Sequence, residues 1–265
     1  MLATTAVAAG AAGATAAATA HPARAQPGPR EFTDNTNAWY MYFGDHAVTS
    51  RWAVHAEAQV RRSGGTLGSE GWQQLLLRPG VIYTITPQLR VTAGYAYIDT
   101  WPYGGLPAAR KFGEHRTWQQ VQATHATGRL QWQHRYRLEQ RWVDVPLTGA
   151  ARAADGDFDQ RYTNRMRYLA RVTVPLRGRT LDPGELYVSA YDEIFVNWGR
   201  NVGRNVFDQN RLYGAVGWRA NATTRLEAGF LQQLIFRPDG VQVERNNTLQ
   251  LAIFQNAPLF RPRAR

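Results

Sequence analysis

The sequence predicts an all-β protein, an up-and-down antiparallel transmembrane β-barrel of 10–12 strands. Apolar and polar residues alternate with period two over most of the chain, and no window of 11–18 residues holds a helical period. Connections alternate short and long, as periplasmic turns and outer loops do in such barrels. The polar faces carry arginine and glutamate in line, while tryptophans stand near the ends of the apolar faces.

Composition narrows the class. The 265 residues include no cysteine, and 31 basic against 20 acidic side chains give a net charge of +11. Lys111 is the only lysine. Without cysteine there is neither a disulfide scaffold nor a Cys-ligated zinc module. Mean hydropathy is −0.45. Beyond the N-terminus nothing approaches the roughly 20 apolar residues of a membrane helix. Abundant aromatic and aliphatic residues argue against disorder.

Residues 1–25 read as a signal peptide. Leu2 to Ala20 is an apolar, low-complexity run, and Ala23-Arg24-Ala25 has the small-x-small form of a cleavage site. The basic residues that usually precede such a run are missing, which fits a start codon farther upstream; a disordered Ala-rich tail is the other reading. Residues 26–35 form a short N-terminal segment, 36–256 the barrel and 257–265 a basic tail.

Asn37–Phe43 is the first strand candidate and an awkward one, because with it the count is eleven and bacterial single-chain barrels normally have an even number. Arg51–Arg61 sets Trp52, Val54, Ala56, Ala58 and Val60 opposite His55, Glu57, Gln59 and Arg61. Gly71–Ile85 and Gly113–Thr124 alternate less clearly; Leu89–Tyr97 puts Leu89, Val91, Ala93, Tyr95 and Tyr97 on one face. In 131–142, Arg135, Arg137, Glu139 and Arg141 alternate with His134, Tyr136, Leu138 and Trp142. The cleanest case is Arg161–Val174, with Arg161, Arg165, Arg167 and Arg171 on one side. In Leu186–Trp198, Asp192 interrupts the apolar face; Gln209–Arg219, Thr224–Phe236 and Asn246–Phe254 complete the set. Links 86–88, 126–128 and 220–223 are short, whereas 63–70, 99–111, 143–159 and 198–208 are long and rich in Gly, Pro, Asn and Asp. Trp52, Trp72, Trp142, Trp198 and Trp218 sit where aromatic girdles meet a membrane interface.

Several short motifs, taken in order, carry a resemblance. Glu114-His115-Arg116 with Trp118-Gln119-Gln120 comes first, then Arg135-Tyr136-Arg137-Leu138-Glu139-Gln140-Arg141, Tyr191-Asp192-Glu193 and Gln209-Asn210-Arg211. Gly94-Tyr95-Ala96-Tyr97 and Leu76-Leu77-Arg78 ahead of Tyr83 fit the same pattern. From about Trp39 to Phe254 the chain resembles the exported proteobacterial family labelled domain of unknown function 2490. The resemblance implies an outer-membrane barrel and brings no established activity. Many barrels end on an aromatic residue that the assembly machinery reads; here Phe260 is followed by Arg261-Pro262-Arg263-Ala264-Arg265.

With the apolar faces toward lipid, the lumen receives Glu57, Arg61, Arg78, Glu114, Arg116, Arg135, Arg137, Glu139, Arg141, Arg161, Arg165, Arg167, Arg171, Glu193, Arg211 and Glu227. Guanidinium forks pair bidentately with carboxylates and stack on aromatic rings. These residues therefore either fill a narrow barrel as an Arg–Glu–Gln network or form an arginine ladder favouring anionic solutes. A lipid-acting outer-membrane enzyme is the rival from another class, and a soluble periplasmic binding barrel a third. None of the histidines has a serine close by on its strand face, and His55 with Glu57 is the nearest to a base–orienter pair, so no catalytic residue is expected. No metal spacing is present and no cofactor is expected. The expected partners are outer-membrane lipid, lipopolysaccharide phosphates meeting Arg110, Arg152, Arg200 and Arg204, and the barrel-assembly machinery during biogenesis. Nucleic acid is not expected, since the arginines lie on alternate strand positions.

Overall fold

A computed structural model describes residues 29–146, 158–204 and 206–260. The expected leader, Arg152 and the last five residues lie outside the described residues. The strands are β1 Glu31–Ala47, β2 Trp52–Ser63, β3 Gly71–Thr86, β4 Leu89–Thr100, β5 Phe112–Thr127 and β6 Leu130–Pro146. They continue with β7 Phe158–Pro175, β8 Leu186–Trp198, β9 Phe207–Arg219, β10 Thr224–Phe236 and β11 Gln242–Gln255. Each pairs antiparallel with its neighbours in the chain, and together they close a barrel.

The closing seam is parallel. β1 and β11 run side by side from Glu31↔Gln242 to Gly44↔Gln255. An odd number of up-and-down strands leaves the first and last pointing the same way, so only a parallel ladder can join them. This corrects the preference for an even count: the segment around Asn37–Phe43 belongs to a full strand, and among the described residues there is no twelfth. β1 also starts at Glu31, inside what the sequence assigned to an N-terminal segment, because its backbone continues to pair with β11 there.

The two rims differ. One carries connections 64–70, 101–111, 199–206 and 237–241; the other carries 48–51, 87–88, 128–129 and 220–223. The connection 176–185 is the exception, a longer loop on the short-turn rim. Glu31 lies at the long-loop rim and Gln255 at the short-turn rim.

Polarity is inverted relative to a soluble barrel. Val81, Leu212, Val216 and Phe230 face outward and are more than half exposed. Glu139 on the inner face is 0% exposed, and Arg78, Arg137 and Glu193 are 2%. Trp72, Trp142 and Trp198 stand outward near the long-loop rim, Trp52 and Trp218 near the short-turn rim. Trp72 packs on Trp101 at 5.2 Å and Trp52 on Tyr83 at 4.8 Å. The few outward polar groups satisfy one another: Thr117 and Gln119 donate to Gln140 Oε1, and Asn210 Nδ2 donates to Asp192 Oδ2 at 3.0 Å.

The inner wall is not wholly polar. Trp39 and Met41 pack with Tyr213, Leu231 and Ala252, and Trp118 packs with Leu76, Ala96 and Ile98. The Trp118 ring can approach the wall closely because Gly80 and Gly94 face it, where an added Cβ would come within 2.8 and 2.9 Å of Cζ2. Gly217 makes the same room for Tyr187.

Candidate functional site

Alternation along β2, β3 and β5–β10 delivers every lumen residue expected from the sequence to the inner wall, and register decides which of them meet. Glu139 of β6 is the hub. Arg165 donates to its Oε2 from Nε at 2.9 Å and from Nη2 at 2.6 Å, and Arg167 Nη1 donates to Oε1 at 2.9 Å. Arg78 and Arg116 complete the ring of charge at 3.5 and 3.6 Å. The cross-strand pair Glu139↔Arg165 places the first of these contacts directly opposite.

Three further carboxylates widen the network into a septum. Glu193 takes Arg135 at 2.6 Å and Arg167 at 2.8 Å, with Arg211 at 3.7 Å. Glu57 takes Arg78 through both oxygens, at 2.8 and 2.7 Å. Glu114 is shared by Arg116 and Arg141. Nearer the short turns, Glu227 pairs with Arg171 and accepts from the Tyr187 hydroxyl at 2.8 Å. Among the described residues Arg61 has no carboxylate partner; it donates to Gln59 and Gln74, and its guanidinium lies 3.8 Å from the Trp39 ring centre. Arg161 is exposed at the long-loop mouth.

Aromatic faces help to hold the surplus positive charge. The Phe195 ring has Arg165, Arg167 and Arg211 within 5.2, 4.5 and 4.8 Å of its centre. Cation–π contact is an inexpensive way to bury guanidinium when carboxylates are outnumbered.

The septum divides the lumen into two small cavities, of about 190 Å³ on the short-turn side and about 230 Å³ on the long-loop side. Gln59, Arg78, Arg167 and Arg211 line both. Over the second cavity the 101–111 loop folds inward: the Tyr103 hydroxyl donates to Glu244 Oε2 at 3.2 Å, Gly105 N to Asn35 Oδ1 at 3.0 Å, and Arg237 Nη2 to Leu106 O at 2.8 Å. Burial beside Glu244 pushes the Tyr103 phenol up to about 12.

A family model described as Protein of unknown function (DUF2490) matches residues 36–244. The chain belongs to this family. No curated protein and no solved structure matches it. The DUF2490 match takes in every septum residue named above and ends at Glu244, the acid that latches the inward loop.

Several inner-wall groups of this DUF2490 barrel were not singled out from the sequence. Asp45 accepts from Arg90 at 3.0 Å and binds His55 Nδ1 at 2.7 Å. Arg225, Arg237, Asp208 and Glu244 also face inward. Asp45 was legible only if β1 was accepted as a strand; Glu244 and Arg237 lie just outside the span read for the last strands. His55 Nε2 is 3.5 Å from Glu57 Oε2, so the nearest base–orienter pair belongs to the ion-pair network. Among the described residues no group of three or more potential ligands is set to hold a metal ion.

Proposed function

We propose that this DUF2490 chain is an outer-membrane β-barrel of a Gram-negative envelope, closed across its middle by a guanidinium–carboxylate septum and structural in this state. The observation that carries the membrane reading is the inverted polarity: buried arginine and glutamate within, exposed Val81, Leu212, Val216 and Phe230 without. An apolar belt around a whole barrel far exceeds the patches soluble monomers expose, and each Å² of it removed from water stabilises by about 25 cal/mol. Tryptophans near both rims suit the two interfaces of a bilayer. Strands of 12 to 18 residues are long enough to span it at a tilt. Insertion of such strands would engage the barrel-assembly machinery, and Arg200 and Arg204 on the long-loop rim would meet lipopolysaccharide phosphate.

Closure is favoured by the size of the cavities and by the ring of arginines around Glu139. A second reading, passage of small anions, is favoured by the excess of inner-wall arginine over carboxylate, which would repel cations from any conducting state. The proposal includes no catalytic step.

Fractionation after expression, with and without boiling before electrophoresis, tests the location. A heat-modifiable band in the outer membrane is expected; recovery as a soluble periplasmic protein would overturn the proposal. Planar-bilayer recording separates the two readings. Closed or very small currents are expected for the septum, and large, anion-selective currents would replace it with the pore.

A further inference from the structure

We propose that the cavity on the short-turn side is a binding site for a small organic anion, a carboxylate or phosphate head on an apolar body. Eight arginines and three acids line this cavity. One of those arginines is a buried cation with an unused donor. Arg137 is 2% exposed, and its Nε and Nη2 both donate to the neutral Gln120 Oε1, at 2.9 and 2.7 Å. Among the described residues its Nη1 has no hydrogen-bond partner. Two positions earlier on the same face of β6, Arg135 gives Nη2 to Glu193, while its buried Nε has no partner. Both side chains line the same space.

Buried N–H groups without acceptors are rare in folded proteins, and on a charged group the omission is more costly. The Arg137 guanidinium lies 4.7 Å from the Trp118 ring centre but within 4.0 Å of no described carboxylate, so a water molecule could satisfy the free donor without supplying the missing counter-charge. An oxyanion answers both needs, and guanidinium forks suit planar carboxylate and tetrahedral phosphate alike.

The other side of the cavity sets the rest of the ligand. Met41 and Phe43 of β1 and Phe254 of β11 line it, with the Phe43 and Phe254 rings stacked at 5.1 Å. Arg171 and Arg225 lie 5.5 and 5.2 Å from the Phe254 ring centre. Apolar surface therefore stands close to cationic surface across a space well below the roughly 300 Å³ at which drug-sized pockets begin. A single ring or short aliphatic body bearing one anionic head fits that description.

Isothermal titration calorimetry on the detergent-folded, full-length barrel tests this with four probes: benzoate, phenyl phosphate, inorganic phosphate and neutral benzamide. Benzoate or phenyl phosphate should bind, and whichever binds more tightly identifies the head group. Inorganic phosphate should bind at least tenfold more weakly than its phenyl ester, and benzamide should give no saturable heat. Arg137→Gln should weaken the organic anion at least tenfold, whereas Arg161→Gln, in the other cavity, should change it less than twofold. Because Arg137→Gln can disturb folding, Gln133→Glu is the second variant. It adds a carboxylate to the cavity wall opposite Arg171 in the β6–β7 register. That carboxylate should occupy the arginines and abolish binding while the band stays heat-modifiable. No binding of either organic anion, binding of benzamide equal to that of benzoate, or undiminished binding in Gln133→Glu would overturn the site. The inference rests on the closed lumen but not on cellular location, so a soluble protein that binds benzoate would defeat only the membrane reading.

Discussion

Replacing Glu139 by glutamine should be the most damaging single change to the septum. Glu139 is fully buried, accepts three guanidinium hydrogen bonds and has four arginines within 3.6 Å. Charge-assisted hydrogen bonds are worth about 1.5–3 kcal/mol each, and glutamine keeps one acceptor oxygen, so part of the bonding survives. The charge does not survive. Arg165 keeps Asp208 at 3.2 Å and Arg167 keeps Glu193 at 2.8 Å, but Arg116 is left with Glu114 alone. Breaking a buried pair by removing one partner costs about 3–5 kcal/mol, and this site lies within that range. The assay is reversible urea unfolding of the folded barrel in lipid vesicles, followed by tryptophan fluorescence. Asp34→Asn is the control, because its bond to Arg245 lies beyond Trp72 toward the long-loop rim, in water rather than lipid, and should contribute nothing measurable. A loss below about 1 kcal/mol for Glu139→Gln would refute the view that this carboxylate holds the septum together.

Arg165→Leu with Arg167→Leu should also lower the unfolding midpoint, leaving Glu139 only its two longer contacts; if the barrel is instead a pore, the pair should mainly shift ion selectivity in bilayer recordings. Gly217→Ala should cost about 1–3 kcal/mol in the same unfolding assay, because the new Cβ overlaps the Tyr187 ring and displaces its bond to Glu227. The Tyr103 latch should weaken as pH rises from about 10, where a free phenol ionises, to about 12, where the buried one does. Below that window the raised pKa contributes fully to holding the loop, so limited proteolysis of 101–111 should be slow at pH 8 and faster above pH 10, and Tyr103→Phe should abolish the dependence. The parallel seam puts the two chain ends on opposite rims. An epitope placed just before Glu31 should therefore be labelled from the long-loop side of sealed vesicles, and one placed just after Gln255 only from the other side.

The inner wall was legible wherever charge and alternation coincided. Arg165 and Arg167 are two apart in the sequence and share one face, as period two requires. β1 was harder, because its inner face carries Trp39, Met41 and Phe43, so the apolar-out, polar-in rule fails there; these side chains pack against Tyr213, Leu231 and Phe254 instead. Phe195 is a similar case. Its parity put an apolar ring among polar neighbours, and the reason, three guanidiniums around that ring, lies on other strands.

Alternation is a local property, set by the geometry of one extended backbone, and it was sufficient for the all-β class, the two faces and much of the charged lumen, though not for Asp45, Asp208, Arg225, Arg237 or Glu244. Pairing is a long-range property. The closure of eleven strands through β1 and β11 joins residues more than two hundred positions apart, and nothing in either segment announces its partner. The same holds inside the barrel. Which arginines surround Glu139, and which donor of Arg137 is left over for a ligand, depends on register and on the stagger of strands across the lumen. Those quantities exist only once the sheet has closed on itself.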